Sequence, residues 1–98
     1  MTPAHITHLR IEERVLELTG EVASCYVFDW FVATLKDWAG CNKLVREALK
    51  REVPAADRGW DPDGKRWYVK VEYRATLAKL FVNFEGAVEA LENQPALF

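Results

Sequence analysis

Between residues 65 and 71 apolar and polar side chains alternate closely enough to fix a strand with two different faces. Trp67, Val69 and Val71 fall on one side, and Arg66, Tyr68 and Lys70 on the other, by the two-residue period of extended chain. The first side reads as core and the second as solvent, which makes Tyr68 an exposed ring. Asp61-Pro62-Asp63-Gly64 comes just before. Pro62 fixes the φ favoured at the second position of a type I turn, and Gly64 is free to take positive φ. Residues 58–60 and 65–71 are therefore opposite arms of a short bulged hairpin. Nearer the N-terminus, Val15–Thr19 alternates in part, Gly20 offers a turn, and Val22–Phe28 is rich in β-branched and aromatic residues, which predicts a second hairpin. A helix over Leu9–Leu18 is the competing reading, because Glu12, Glu13, Arg14 and Glu17 suit its wet side. Met1–His8 has little periodicity and reads as a loose arm.

Elsewhere the apolar period lengthens to that of a helix. Asp29 is placed to cap a helix from Trp30, with Phe31, Leu35 and Trp38 on its buried face and Ala39-Gly40 at its end. Asn42 is placed to cap a second, Lys43 to about Val53, with Leu44, Val45, Ala48 and Leu49 on one side, and Pro54 stops it. One kinked helix through Gly40 is the alternative. From about Tyr73 to Asn93, Leu77, Leu80, Phe81, Phe84, Val88 and Leu91 recur at spacings of three and four. Gly86 marks a bend or split in that stripe, and Pro95 ends it. The pattern predicts an α+β fold, a small antiparallel sheet of hairpins packed against two to four α-helices. It forms one domain over residues 1–98, with an N-terminal arm 1–8 and a C-terminal peptide 94–98.

Composition narrows the classes without choosing among them. Half of the 98 residues are apolar and four are Trp, enough for one core and too few for two. The net charge of -2 excludes a protein that coats nucleic acid by bulk attraction. The charge is uneven, however. Residues 1–41 carry three Lys/Arg against six Asp/Glu, residues 42–74 nine against six, and the remainder one against three. A polyanion contact belongs in the middle segment. Two cysteines and no basic-then-apolar leader imply a reduced, cytosolic protein, and no apolar run is long enough to cross a bilayer.

The candidate chemistry follows from the wet side of residues 65–71. Two cations flanking an aromatic ring suit phosphates and a stacked base, so Arg66, Tyr68 and Lys70 are expected to bind nucleic acid. Arg58 and the basic helix side, Arg46, Lys50 and Arg51, extend that surface. The bland account is a solubilising face on a small sheet. The run Gly59-Trp60-Asp61-Pro62-Asp63-Gly64-Lys65-Arg66-Trp67-Tyr68-Val69, followed by Leu77, Leu80 and Phe81, resembles the hairpin of HARP-like domains, small β/α modules that accompany annealing helicases. The resemblance covers about Lys43 to Phe81, with Asp61-Pro62 and Trp67 its most specific matches. It implies docking on branched or single-strand/double-strand DNA. The chain departs from the pattern in having Gly59, not a basic residue, before Trp60, and it contains no helicase motor.

The ending Gln94-Pro95-Ala96-Leu97-Phe98 resembles the short peptide by which bacterial and phage proteins dock on the replication sliding clamp. It implies that Leu97 and Phe98 fill an apolar pocket while Gln94 bonds at its rim. Intramolecular packing of the same residues is the other reading. His5, His8, Cys25 and Cys41 lack the spacing of a zinc knuckle, so no metal or cofactor is expected. Asp61 and Asp63 are explained by a turn whose carboxylate bonds backbone N–H groups, and no nucleophile constellation marks an enzyme. Trp30 and Trp38 read as core or as a dimer seam. The expected function is a non-enzymatic accessory of DNA replication or repair that binds single-stranded or junction DNA. A protein-interaction module, such as a phage-type inhibitor of a host protein, and a structural homodimer are the alternatives.

Overall fold

A computed structural model describes residues 4–32 and 38–93. The chain forms strands β1 (Ala4–Val15) and β2 (Val22–Val32), helix α1 (Trp38–Glu52), strands β3 (Arg58–Asp61) and β4 (Arg66–Lys70), and helices α2 (Arg74–Leu80) and α3 (Phe84–Glu92). The four strands make one sheet in the order β1-β2-β4-β3, and every neighbouring pair is antiparallel. The fold is thus α+β. Register sorts the side chains. Val69 lies opposite Tyr26 and Trp67 opposite Phe28, so these four share a face with Trp30 and Val32. Helices cover that face, because Leu49, Val53, Leu77, Phe81, Phe84 and Val88 join them in one buried cluster. Rings interlock there, with Tyr26 edge-on to Phe84 at 5.1 Å and Phe28 edge-on to Phe81 at 5.5 Å. Such geometry adds to the area each ring buries.

Several local expectations give way to pairing. The first hairpin forms and the helix over Leu9–Leu18 does not. Ala4–His8, expected to be a loose arm, is the start of β1, since Ala4 and Ile6 bury themselves opposite Val32 and Trp30. The helix expected from Trp30 does not begin there for the same reason, since Trp30–Val32 belong to β2. Phe28, Trp30 and Val32 are buried while Phe31 is exposed, so the two-residue period runs on to Val32. The Asp29 carboxylate accepts the N–H of the next residue, Trp30, at 2.8 Å, a local contact inside a strand and not the bond to the second or third helical N–H that an N-cap makes. Leu35 lies outside the described residues. Helix α1 continues through Gly40, and Asn42 sits within it instead of capping it. The C-terminal stripe breaks at Phe81–Asn83, not at Gly86, because Phe81 turns extended at φ −122, ψ 121. Positive φ in the second hairpin falls on Lys65 (φ 54) instead of Gly64, whereas Gly20 (φ 74) turns the first as expected.

Two constraints shape the sheet. The outer edge of β1 is capped at its start: the Asn83 side chain accepts the Ile6 N–H at 2.8 Å and donates to the Ile6 carbonyl at 3.1 Å, and Val82 N–H donates to the Ala4 carbonyl. One amide side chain thereby imitates a neighbouring peptide unit. At its other end the first hairpin curls away from the helices. Val15 lies opposite Val22 and Tyr68 opposite Val27, five positions apart along β2 and two strands across. On a flat sheet their backbones would be roughly 19 Å apart, farther than a tyrosine reaches. The Tyr68 phenol oxygen nevertheless lies 3.5 Å from the Val15 carbonyl, so the hairpin folds over the second face. A bulge between Thr7 and Arg10, with His8 at φ 54, supplies the bend.

The folded-over hairpin encloses a second, smaller core of Leu16, Cys25, Val27 and Tyr68. Tyr68 fits there only because Gly59 lies opposite it. A Cβ at Gly59 would overlap the phenol ring outright. Gly59→Ala is expected to lower stability by about 1–3 kcal/mol, the range for forcing extra atoms into a packed interior. Urea unfolding of the single variant and of the Gly59→Ala/Tyr68→Ala pair checks the cause. The added cost of the alanine should shrink when the ring is gone.

Candidate nucleic-acid interface

Arg66, Tyr68 and Lys70 project to the side of the sheet that their alternation predicts, but that side is not open. Tyr68 is 5 % exposed. The Arg14 guanidinium lies over its ring, 5.5 Å from the centroid, so no base has access to it. Arg66 faces Asp29 at 3.7 Å and donates to the Gly64 and Lys65 carbonyls. Lys70 is surrounded by Glu72 at 2.9 Å, Glu21 at 3.4 Å and Asp57 at 3.7 Å. The Glu72 hydrogen bond, with Glu21 beside it, raises the Lys70 pKa well above its ordinary 10.5. Three carboxylates hold this cation, which leaves it little to offer a phosphate. The expected face is therefore corrected: its aromatic member is core and its cations are structural.

The basic side of α1 meets different neighbours. Trp38, Asn42, Arg46 and Lys50 recur every four residues and form one stripe along the helix, beside the buried Val45 and Leu49. Opposite stand three tryptophans from adjacent strands: Trp30 of β2, Trp67 of β4 and Trp60 of β3. Trp60 and Trp67 are direct cross-strand partners with ring centroids 5.3 Å apart, and Trp67 stacks on Trp30 at 6.0 Å. Helix stripe and indole staircase, together with Asp29, enclose a cleft of about 550 Å³. Trp30 is buried and its indole N–H donates to Asn42 Oδ1 at 2.6 Å, which ties helix to sheet. Trp60 and Trp38 are 40 % and 54 % exposed. Trp38, expected to be core, is instead an open aromatic wall.

Charge in the cleft is unevenly committed. Among the described residues Arg46 and Lys50 have no carboxylate partner, whereas Lys43 and Arg51 on the same helix pair with Glu47 and Glu52. Arg51 thus stands apart from the cleft. Arg58 donates Nε to the Val53 carbonyl at 2.9 Å and lines an adjoining cavity of about 440 Å³ that shares Lys50, Trp60 and Trp67. Of the seven expected nucleic-acid residues, three gather here and Arg51, Arg66, Tyr68 and Lys70 do not. Trp60, Trp38 and Asn42 were not expected. The four-residue spacing of 38, 42, 46 and 50 carried the signal for the helix wall.

Gln94, Leu97 and Phe98 lie outside the described residues. His5 stacks on Phe31 at 5.1 Å and Cys25 is buried beneath Tyr68. Among the described residues no three His, Cys, Asp or Glu side chains are grouped to hold a metal, and no helix is long and apolar enough to cross a membrane. Comparison of the chain with protein-family models, curated proteins and solved structures finds no match.

The turn that carries Trp60 and Trp67 is held by Asp61. Its Oδ1 accepts the N–H groups of Gly64 and Asp63, both at 3.0 Å, and its Oδ2 meets Arg14 at 3.2 Å. The Gly64 hydrogen bond first, then Arg14, holds the Asp61 pKa below its ordinary 3.8. Arg14 likewise lowers Glu12, and Arg74 lowers Glu85, from 4.5. A carboxylate depressed in the folded state contributes stability above its unfolded pKa and loses it as the pH falls through the folded value. Urea midpoints should stay level from pH 7 to about 5 and then fall below about pH 4. Asp61→Asn should start lower at pH 7 and show a shallower acid decline.

Proposed function

We propose that this protein is a non-enzymatic accessory that binds single-stranded DNA in the tryptophan-lined cleft between α1 and the β3–β4 hairpin. The observation that carries the reading is the convergence of the indoles of Trp60 and Trp38 with Arg46 and Lys50, two cations lacking carboxylate partners among the described residues, on one cleft. Single-strand sites need such a pair of features: planar surfaces for bases of any sequence and cations that follow the backbone. An unstacked base presents its flat face to the open indoles, while duplex DNA keeps its bases inward. The likeness of Asp61-Pro62 and Trp67 to HARP-like hairpins accords with DNA as the ligand.

The same rings would suit a quaternary ammonium group held in an aromatic cage. Charge opposes that reading. Among the described residues lining this cleft Asp29 is the single carboxylate, and it is already shared with Arg66, so the cleft favours an anion.

Titrating the protein with single-stranded oligothymidylate at low salt should quench tryptophan fluorescence. Trp60→Ala and Trp38→Ala should each weaken binding by about 5- to 150-fold, the measure of one base–aromatic stack. Arg46→Ala/Lys50→Ala should reduce the salt slope by roughly 1.4, at about 0.7 per single-strand phosphate contact. Lys65→Ala and Lys79→Ala, which alter exposed cations elsewhere, should bind as the parent does. Absence of binding at low salt, or equal affinity in the cleft variants, removes the proposal.

A further inference from the structure

The cleft does not end at Trp60. The adjoining cavity lies between the tip of the first hairpin, at Glu17 and Leu18, and the 3-10 turn at Ala55, along the outer strand β3. The two cavities have Lys50, Trp60 and Trp67 in common and differ in everything else. Each, at about 550 and 440 Å³, has the size of a small-ligand site. The first offers Trp38 and Arg46, and the second offers Leu18 and Arg58. Arg58 uses its Nε on the Val53 carbonyl, and among the described residues its two terminal nitrogens have no carboxylate partner, which leaves them for an incoming oxygen anion.

We infer, on the strength of the single-strand reading above, that the site is bipartite. Consecutive nucleotides occupy the two cavities, and the phosphodiester between them sits at Lys50. The geometry assigns Lys50 the bridging place because, among the described residues, it is the one cation that lines both cavities. It gives Trp60 two uses, one toward each cavity. A mononucleotide fills only the first cavity, where Trp38 and Arg46 supply both a ring and a charge. The second cavity carries Glu17 as well as Arg58; it is weaker alone and gains its occupant through the covalent link, by raised local concentration. The minimum strong ligand is therefore a dinucleotide or longer, and the protein measures single-strand length in its first steps.

The test compares thymidine 5′-monophosphate, the phosphorylated dinucleotide and the trinucleotide of thymidine by fluorescence titration of the full chain. Affinity should rise at least about tenfold from one nucleotide to two, the order of one added stacked base. Ala55→Glu places a like charge in the second cavity from an exposed position, and Arg58→Ala removes its cation. Both should abolish most of the rise with length, read as the ratio of dinucleotide to monophosphate affinity within each variant, with thermal melting confirming that each variant is folded. Arg46→Ala should weaken all three ligands. Equal affinity for one and two nucleotides, or a length effect unchanged in Ala55→Glu, overturns the bipartite site while the single-strand reading stands. Absence of binding by any of the three, and by longer oligothymidylate, overturns both.

Discussion

The seat of Tyr68 on Gly59 is the constraint on which the rest of the structure depends. A bulky ring on a strand normally needs room above its neighbours, and here the neighbour has no side chain. The ring lies low enough for the first hairpin to close over it, with Arg14 stacked above and then reaching Asp61. Arg14 and Asp61 belong to β1 and β3, the two outer strands of the sheet. Their contact joins edges that a flat sheet would keep far apart. Asp61 in turn organises the turn between β3 and β4. The buried face of the hairpin thus sets the position of Trp60 and Trp67 on its other face.

That arrangement separates two kinds of cation. Those inside the folded-over face, Arg14, Arg66 and Lys70, each meet at least one carboxylate and serve the fold. Arg46 and Lys50 stand on the helix wall across from indoles. Pairing accounts for the difference, since exposed cations with carboxylates at hand are neutralised locally and contribute little field to an approaching anion. The Trp30–Asn42 hydrogen bond fixes the spacing between α1 and the sheet, so a contact between two of the cleft's own lining residues sets its width.

Local patterns in the chain were readable, and what lay over them was not. The phase of β4 was right: Trp67 and Val69 face the helices while Arg66, Tyr68 and Lys70 face away. The Asp61 turn, Gly20 and most of α1 were likewise legible. The burial of Tyr68 was not, because it depends on residues some fifty positions earlier, and a two-residue period says which side a ring takes without saying what covers it. Asp29 before Trp30 has the local signature of a helix cap; pairing with β1 outweighs that preference, as tertiary context commonly does. The candidate cleft was half visible. Arg46, Lys50 and Arg58 could be named from charge, but Trp60 has a place only on a hairpin arm, with no stated face, until the β3–β4 register sets it beside Trp67.

Asn83 has a consequence beyond the cohesion of β1 with α3. The rim of a sheet is adhesive, because its spare N–H and C=O groups will accept any extended chain, including another copy of the same one. By engaging both groups of Ile6, with Val82 engaging Ala4, the link between α2 and α3 plugs that rim at the start of β1. Beyond the plug, the bulge at His8 and the inward curl leave a contour that a second copy matches poorly. A chain half apolar in composition is in this way discouraged from stacking into fibres by a single carboxamide and a bend.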